Sequence, residues 1–110
     1  MSTDVPKVIS RYFEFDANRD IESIVDLFAE NATVVDEGEA RHGRAEIQAW
    51  QAGPASRYKY TTEVLETKSI GPDRYRVSGR LTGNFPGGTA DLKWEFAIAE
   101  ERITSLAIAP

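Results

Sequence analysis

The stretch Ala32-Thr33-Val34-Val35-Asp36 decides the fold prediction, because this short apolar run follows two amphipathic segments and ends in a carboxylate. Its length and its β-branched residues predict a first strand. Side chains alternate along a strand, so Asp36 should face the same side as Val34. If that side lines a cavity, Asp36 is a poorly solvated carboxylate of the kind that serves as a base. The alternative is that Asp36 begins a solvent-exposed turn with Glu37-Gly38-Glu39.

Two helices are predicted before this strand. In the first, the residues that recur at helical spacing are Val5, Val8, Ile9, Tyr12, Phe13 and Asp16. Thr3 or Asp4 can cap this helix, and Pro6 is tolerated in its first turn. Tyr12 falls near the middle of the apolar face, and Asp16 lies one turn further along that face. After a break at Asn18-Arg19, Asp20 caps a second helix, predicted to end at Asn31, whose inward residues are Ile21, Ile24, Val25 and Phe28.

The remainder of the chain predicts one more helix and an antiparallel sheet. A short helix is predicted over residues 44–51, stopped by Gly53-Pro54. Alternating patterns predict four strands, over residues 57–69, 74–85, 90–98 and 103–109. Gly79 and Gly83 inside a strand fit the bends of a curved sheet. This order predicts one α+β domain over residues 1–110, in which a curved mixed or antiparallel sheet wraps around three N-terminal helices and encloses a pocket.

The composition excludes several classes of function. Thirteen basic and 18 acidic side chains give a formal charge of −5, with no basic stripe, so we expect no nucleic-acid partner. No apolar run approaches the length that spans a bilayer, so we expect no membrane partner, and the N-terminus does not have the pattern of a signal peptide. Cysteine is absent, which excludes disulfides and is compatible with the cytoplasmic location that we expect. The acidic residues do not have metal-ligand spacing, so we expect no metal and no other cofactor.

The order of elements resembles the cone-shaped fold of the nuclear-transport-factor-2-like superfamily. The residues that carry the resemblance are Arg11-Tyr12, the run from Asp20 to Ala29, the strand ending at Asp36, and Gly43-Arg44-Ala45-Glu46-Ile47. The superfamily includes ketosteroid isomerases, SnoaL-like polyketide cyclases, scytalone dehydratases and limonene-type epoxide hydrolases. One fold hosts many activities and several non-enzymes here, so the resemblance implies the fold more specifically than the function.

Key positions resemble those of the ketosteroid isomerases. The resemblance implies that Tyr12 is an oxyanion-hole tyrosine and that Asp36 is the aspartate that shuttles the proton. The position of that family's protonated oxyanion aspartate falls near Trp94, which departs from the pattern. An indole donates one hydrogen bond but is larger than a carboxylic acid and is not an acid, so Trp94 should narrow the pocket and makes steroid isomerisation itself doubtful.

Other residues complete the predicted site. Asp16 on the inward face must be protonated or hydrogen-bonded, either in a polar cluster with Tyr12 and Asp36 or by the amides of the helix break near residues 18–20. Alternatively, Tyr12 belongs to the core, and its hydroxyl donates a hydrogen bond to a backbone carbonyl. His42, the only histidine, either reaches the pocket or caps a helix or loop. The predicted substrate-binding walls are Phe28, Trp50, Tyr60, Phe85 and Trp94, with core packing as the alternative for the tryptophans.

Two functions follow from this sequence. The first is an isomerase or cyclase that transfers a proton next to a carbonyl of a small apolar substrate, with Asp36 as the base and Tyr12 as the oxyanion donor. The second is a non-catalytic module that binds a small apolar ligand or assembles through its sheet. By resemblance we also expect a homodimer through the sheet, whose outer face carries Arg74, Arg76 and Arg80.

Overall fold

The computed structural model describes residues 6–53 and 59–110, and within them it contains three helices and one sheet. The helices are α1 (Lys7–Ala17), α2 (Ile21–Asp26) and α3 (Gly43–Ala52). The strands are β1 (Phe28–Asp36), β2 (Glu39–His42), β3 (Tyr60–Gly71), β4 (Arg74–Gly83), β5 (Thr89–Ala99) and β6 (Arg102–Ala109). The predicted cap at Thr3 or Asp4, the start of α1 at Val5 and the expectations for residues 54–58 lie outside the described residues. Of the helices described, none has the length and apolar character needed to cross a membrane.

The six strands form one mixed sheet in the order β2-β1-β6-β5-β4-β3. Strands β3 to β6 pair antiparallel in sequence order, as the alternating patterns predicted. The pairing of β6 with β1 differs from the others described so far, because these two strands run parallel. Helices on one side of a curved, mostly antiparallel sheet confirm the predicted α+β class.

The second helix is shorter than predicted, and this difference changes the surroundings of Phe28. Helix α2 ends at Asp26, five residues before the predicted end at Asn31, and Phe28 opens β1. The backbone N–H of Ile103 donates to the carbonyl oxygen of Leu27 at 2.8 Å, so the start of β6 takes over the pairing here. Arg44 donates twice to the carbonyl oxygen of Phe28, at 3.0 and 2.8 Å. These tertiary bonds outweigh the local helical pattern.

Strand β2 was absent from the prediction. Asp36 pairs with Glu39 in register, so β1 and β2 form a tight hairpin around Glu37 and Gly38. Both turn residues have positive φ angles, 54° and 77°, which is typical of a two-residue hairpin turn. Asp36 therefore ends a strand and directly precedes a turn.

The register of the sheet aligns pocket residues in one row. Asp36 pairs with Ile108 of β6, Ile108 pairs with Trp94 of β5, and Trp94 pairs with Val77 of β4. Directly paired residues project to the same face of a sheet, so this row faces the helices together. Adjacent strands lie about 4.8 Å apart, which puts the backbones at Asp36 and Trp94 roughly 10 Å apart across the row.

One apolar core lies behind this row. Its fully buried members are Ile24, Phe28, Ala32, Val34, Ile47, Val77, Phe96, Ile103 and Leu106. The aromatic rings pack edge to face, for example Tyr12 on Phe96 with centroids 5.5 Å apart. The core therefore holds the buried residues of α1 and β5, and other residues of both elements line the pocket.

Candidate functional site

A pocket of about 300 Å³ lies between the helices and the inner face of the sheet. Its lining includes most of the predicted site: Tyr12, Asp16, Asp36, Trp50, Tyr60, Phe85 and Trp94. Five elements, α1, β1, α3, β3 and β5, contribute the polar and indole groups among them. The remaining wall is mainly apolar, formed by Leu81, Pro86, Ala90, Leu92 and Ile108. Its size suits a ligand of one or two rings.

Asp36 is held by Trp50. The indole Nε1 of Trp50 donates to Asp36 Oδ2 at 3.0 Å, and the Trp50 ring is itself buried. Among the described residues, no donor bonds the other carboxylate oxygen, Oδ1. The backbone is fixed as well, because Arg41 donates to the Asp36 carbonyl oxygen at 3.0 Å. One oxygen of this carboxylate is therefore oriented by the protein, and the other is available to a ligand.

Tyr12 presents a neutral donor to the same pocket. The residue is 3% exposed, at the centre of the inward face of α1 as predicted. Burial is the main cause that raises the pKa of Tyr12 well above its usual value of 10.0, and the nearby Asp16 and Asp36 carboxylates add to it. The hydroxyl therefore keeps its proton throughout the ordinary pH range and can donate to a ligand oxygen.

Asp16 forms an ion pair and a hydrogen bond at the end of α1. Arg19 Nη1 donates to Asp16 Oδ1 at 3.0 Å, and the Tyr60 hydroxyl donates to Oδ2 at 3.1 Å. The helix-break amide of Arg19 bonds the backbone oxygen of Asp16 instead of the carboxylate, contrary to the alternative expected from the sequence. Burial raises the pKa of Asp16 above 3.8 although Arg19 and Tyr60 act in the opposite direction, and burial likewise raises the pKa of Tyr60.

This raised pKa predicts how the Asp16→Asn variant responds to pH. The folded chain binds the Asp16 proton more tightly than the unfolded chain does, so this group's contribution to stability is lost as pH rises from 3.8 through the higher folded value. Asparagine does not titrate. We therefore expect the unfolding free energy of the variant, relative to the parent, to increase as pH rises through that window, in urea denaturation at several pH values.

Asp91 provides a control of opposite sign. Its hydrogen bond from Arg80, 2.8 Å long, lowers the pKa of Asp91, so its contribution is present above 3.8 and lost as pH falls. The Asp91→Asn variant should lose stability relative to the parent as pH rises. Identical pH trends of the unfolding free energy for the Asp16→Asn and Asp91→Asn variants would contradict a raised pKa of Asp16 in the folded protein.

Trp94 narrows the pocket without filling it. The ring packs edge to face on Phe13, with centroids 5.2 Å apart, and the residue is 4% exposed. Among the described residues no acceptor bonds its Nε1, and that atom is not sealed from solvent. Since Trp94 lines the pocket, its N–H is available there.

The absence of a side chain at Gly79 leaves room for the indole of Trp94 in this position. A Cβ atom at Gly79 would lie 2.8 Å from the Glu63 carbonyl oxygen and 3.0 Å from Trp94 Cζ3. We expect Gly79→Ala to lower the unfolding free energy by about 1–3 kcal/mol, because the strand or the indole must shift. The matched control is Gly71→Ala, whose Cβ would meet its nearest atom at an ordinary 3.7 Å. Equal midpoints for the two variants in urea denaturation would refute a tight contact at Gly79.

Two predicted site residues lie outside the pocket lining. Phe28 is fully buried in the core, edge to face with Tyr12 at a centroid distance of 6.4 Å. His42 is exposed on β2, where its Nδ1 lies 3.1 Å from Thr33 Oγ1. Its place just before α3 matches the capping alternative in position, although its side chain makes no cap hydrogen bond. The substrate-binding role predicted for each residue thus has no geometric support.

Sequence reasoning missed several polar residues at this site. Glu37 and Gln51 line the pocket, and Arg19 pairs with Asp16 just outside it. The available signals were weak: Glu37 follows Asp36 directly, and Gln51 follows Trp50 at the end of an amphipathic helix. In residues 6–53 and 59–110, no group of three or more potential ligands is arranged to hold a metal ion.

Comparisons with known proteins agree with this geometry. A crystal structure from Sinorhizobium meliloti, of a protein assigned as a polyketide cyclase, matches with a TM-score of 0.89 and 31% identity over 96% of both chains. A Catenulispora acidiphila protein with a ketosteroid isomerase-like fold matches with a TM-score of 0.84 and 18% identity, over 97% of this chain and 87% of that one, which shows the fold alone.

A curated relative and a family model complete the comparison. The Drosophila melanogaster protein anoxia up-regulated is 44% identical over 39 residues, which is 36% of this chain. The matched segment is only 30% of that protein's length, so its activity carries no weight here. The family model of the SnoaL-like domain matches residues 9–105, nearly the whole chain. The chain therefore belongs to the family of SnoaL-like domains, as the resemblance in its first half implied.

Proposed function

We propose that this protein is an isomerase or cyclase that moves a proton next to the carbonyl group of a small apolar substrate. The observation that carries the proposal is the pairing of a positioned carboxylate with a neutral donor in one pocket. Asp36 has one oxygen bonded by Trp50, and the Tyr12 hydroxyl shares the pocket. The similarity to a protein assigned as a polyketide cyclase supports the same class of reaction.

In this mechanism Asp36 Oδ1 removes a proton from the carbon next to the carbonyl. The C–H bond breaks, an O–H bond forms on Asp36, and the electron pair moves through the new C=C bond onto the carbonyl oxygen. Tyr12 donates a hydrogen bond to that oxygen, and the N–H of Trp94 supplies a second donor. Asp36 then returns the proton at another carbon of the substrate. Alternatively, the enolate carbon attacks a second carbonyl carbon to close a ring, the C=O double bond of that carbonyl opens, and its oxygen takes the proton from Asp36.

Proton exchange at a simple ketone tests this proposal without knowledge of the natural substrate. We expect the protein to accelerate the exchange of the α-protons of 2-tetralone for deuterium in D₂O, followed by proton NMR. We expect 2-naphthol, which has the shape of the enol of 2-tetralone, to bind and to inhibit. Binding of 2-naphthol without exchange of 2-tetralone would support a non-catalytic ligand-binding module of the same fold.

We also propose that the protein forms a homodimer through the outer face of its sheet. Leu65 on β3, beside the β-bulge between Val64 and Glu66, is a large apolar residue that is 52% exposed. Cross-strand ion pairs, Arg76 with Glu95 and Arg80 with Asp91, neutralise part of the charge on β4 and β5. Sedimentation equilibrium should give twice the 12.2 kDa mass, and a monomer at micromolar concentration would disprove the dimer.

A further inference from the structure

We infer that the pocket selects uncharged ligands and rejects carboxylates, through the fixed negative charges of Asp36 and Glu37. The inference rests on the proposed function in naming its substrate class, a neutral carbonyl compound. It concerns binding, however, and can be measured separately from turnover.

Among the described residues, the charged side chains that line the pocket are all acidic. Three carboxylates, those of Asp16, Asp36 and Glu37, belong to the described lining, and no lysine, arginine or histidine does. Arg19 offsets the charge of Asp16 through an ion pair of 3.0 Å from outside that lining. Asp36 has no such partner at its carboxylate, because the bond from Trp50 comes from a neutral indole. On the β1–β2 side a ligand therefore contacts the carboxylates of Asp36 and Glu37, and no cation of the described lining.

Arg41 lies on this side of the pocket, but its guanidinium does not line it. Its guanidinium bonds the backbone oxygens of Asp36 and Glu39, at 3.0 and 3.3 Å. Its closest carboxylate is that of Glu39, at 4.0 Å, on the outer part of the hairpin. The guanidinium is therefore committed to the turn and is not among the groups that line the pocket.

The neutral donors, Tyr12 and Trp94, attract an anionic ligand, whereas the carboxylates repel it. The charge changes of the proposed reaction indicate that the repulsion should dominate. Tyr12 and Trp94 suit an oxygen that becomes negative during proton transfer. When Asp36 takes a proton from a neutral ketone, its own charge disappears as the charge on the substrate oxygen appears, so the total charge of the pocket is constant. A ligand that arrives as an anion adds one negative charge beside the carboxylates of Asp36, which is half-buried, and Glu37. Hydrogen-bond donors that are placed for the transition state stabilise its developing charge more than they stabilise a ligand that binds as an anion.

Two probes of nearly the same shape test this inference. 2-Naphthamide is neutral and 2-naphthoate is an anion at pH 7, and both should fit the pocket volume. We expect the amide to bind the parent protein with a Kd at least about tenfold lower, measured by calorimetry or by tryptophan fluorescence. The ratio of the two Kd values should fall several-fold in Glu37→Gln and in Asp36→Asn. Asp91→Asn, which removes a carboxylate on the outer face of the sheet, should leave the ratio unchanged.

The outcomes separate this inference from the proposed function. Equal affinities, or tighter binding of 2-naphthoate, would overturn charge selection even if 2-tetralone exchanges its protons. A tenfold ratio that disappears in Glu37→Gln would support charge selection even if no exchange occurs. Failure of both probes to bind at millimolar concentration would overturn the inference, because the pocket would then not accept a ligand of this class.

Discussion

Replacing Asp36 by asparagine is expected to reduce the exchange of the α-protons of 2-tetralone by about 10²–10⁴-fold, since a positioned general base contributes that much. An amide cannot accept the proton, but its oxygen can still accept the hydrogen bond from Trp50 that Asp36 Oδ2 accepts at 3.0 Å. The variant should therefore fold normally and still bind 2-naphthol. Proton NMR gives the exchange rate, and urea denaturation verifies that the variant is folded.

The matched control is Glu39→Gln. Glu39 pairs with Asp36 in the β1–β2 hairpin, but its carboxylate is exposed and outside the pocket lining. Its exchange rate should equal that of the parent within about twofold. Tyr12→Phe should cost about 10²–10³-fold, as the loss of one oxyanion donor does. Exchange that survives in Asp36→Asn at the parental rate would show that the base is another group or the solvent.

The positions of Tyr12, Asp16 and Asp36 could be predicted from sequence because each follows from a regular period. Tyr12 and Asp16 are four residues apart on an amphipathic helix, and Asp36 alternates with Val34 on a strand. The three side chains line one pocket, but the carboxylates have other partners, Arg19 and Tyr60 for Asp16 and Trp50 for Asp36. The order of the elements, with Gly79 and Gly83 inside a strand, already predicted a curved sheet around the helices, so these two faces were expected to meet at a pocket.

The contacts between elements could not be predicted in the same way. The bond between Trp50 and Asp36 joins α3 to β1, and the ion pair of Arg19 with Asp16 depends on how the chain breaks after α1. The shortened α2 has a similar cause, because its end is set by β6, which lies some 75 residues later. Local patterns identify faces, whereas side-chain partners depend on tertiary packing.

The Phe28→Ala variant should lose about 3–5 kcal/mol of unfolding free energy, since Phe28 is fully buried and the truncation leaves a cavity. A domain of this size has a total of about 5–15 kcal/mol, so the variant should be close to unfolding. Val64→Ala provides the contrast, because Val64 is 46% exposed and its truncation should cost little. Urea denaturation of the three proteins gives the comparison.

A conservative variant decides whether Phe28 also contacts the ligand. Phe28→Leu retains most of the buried volume. The fold and the position of the Tyr12 ring should therefore be kept, with a smaller loss of unfolding free energy than in Phe28→Ala. If Phe28 belongs only to the core, the Kd for 2-naphthol in Phe28→Leu should stay within about twofold of the parent value, since the residue is outside the pocket lining. Binding weakened by more than about tenfold in a variant of near-parental stability would restore the substrate-binding role predicted from the sequence, because stability and affinity would then depend on this ring separately.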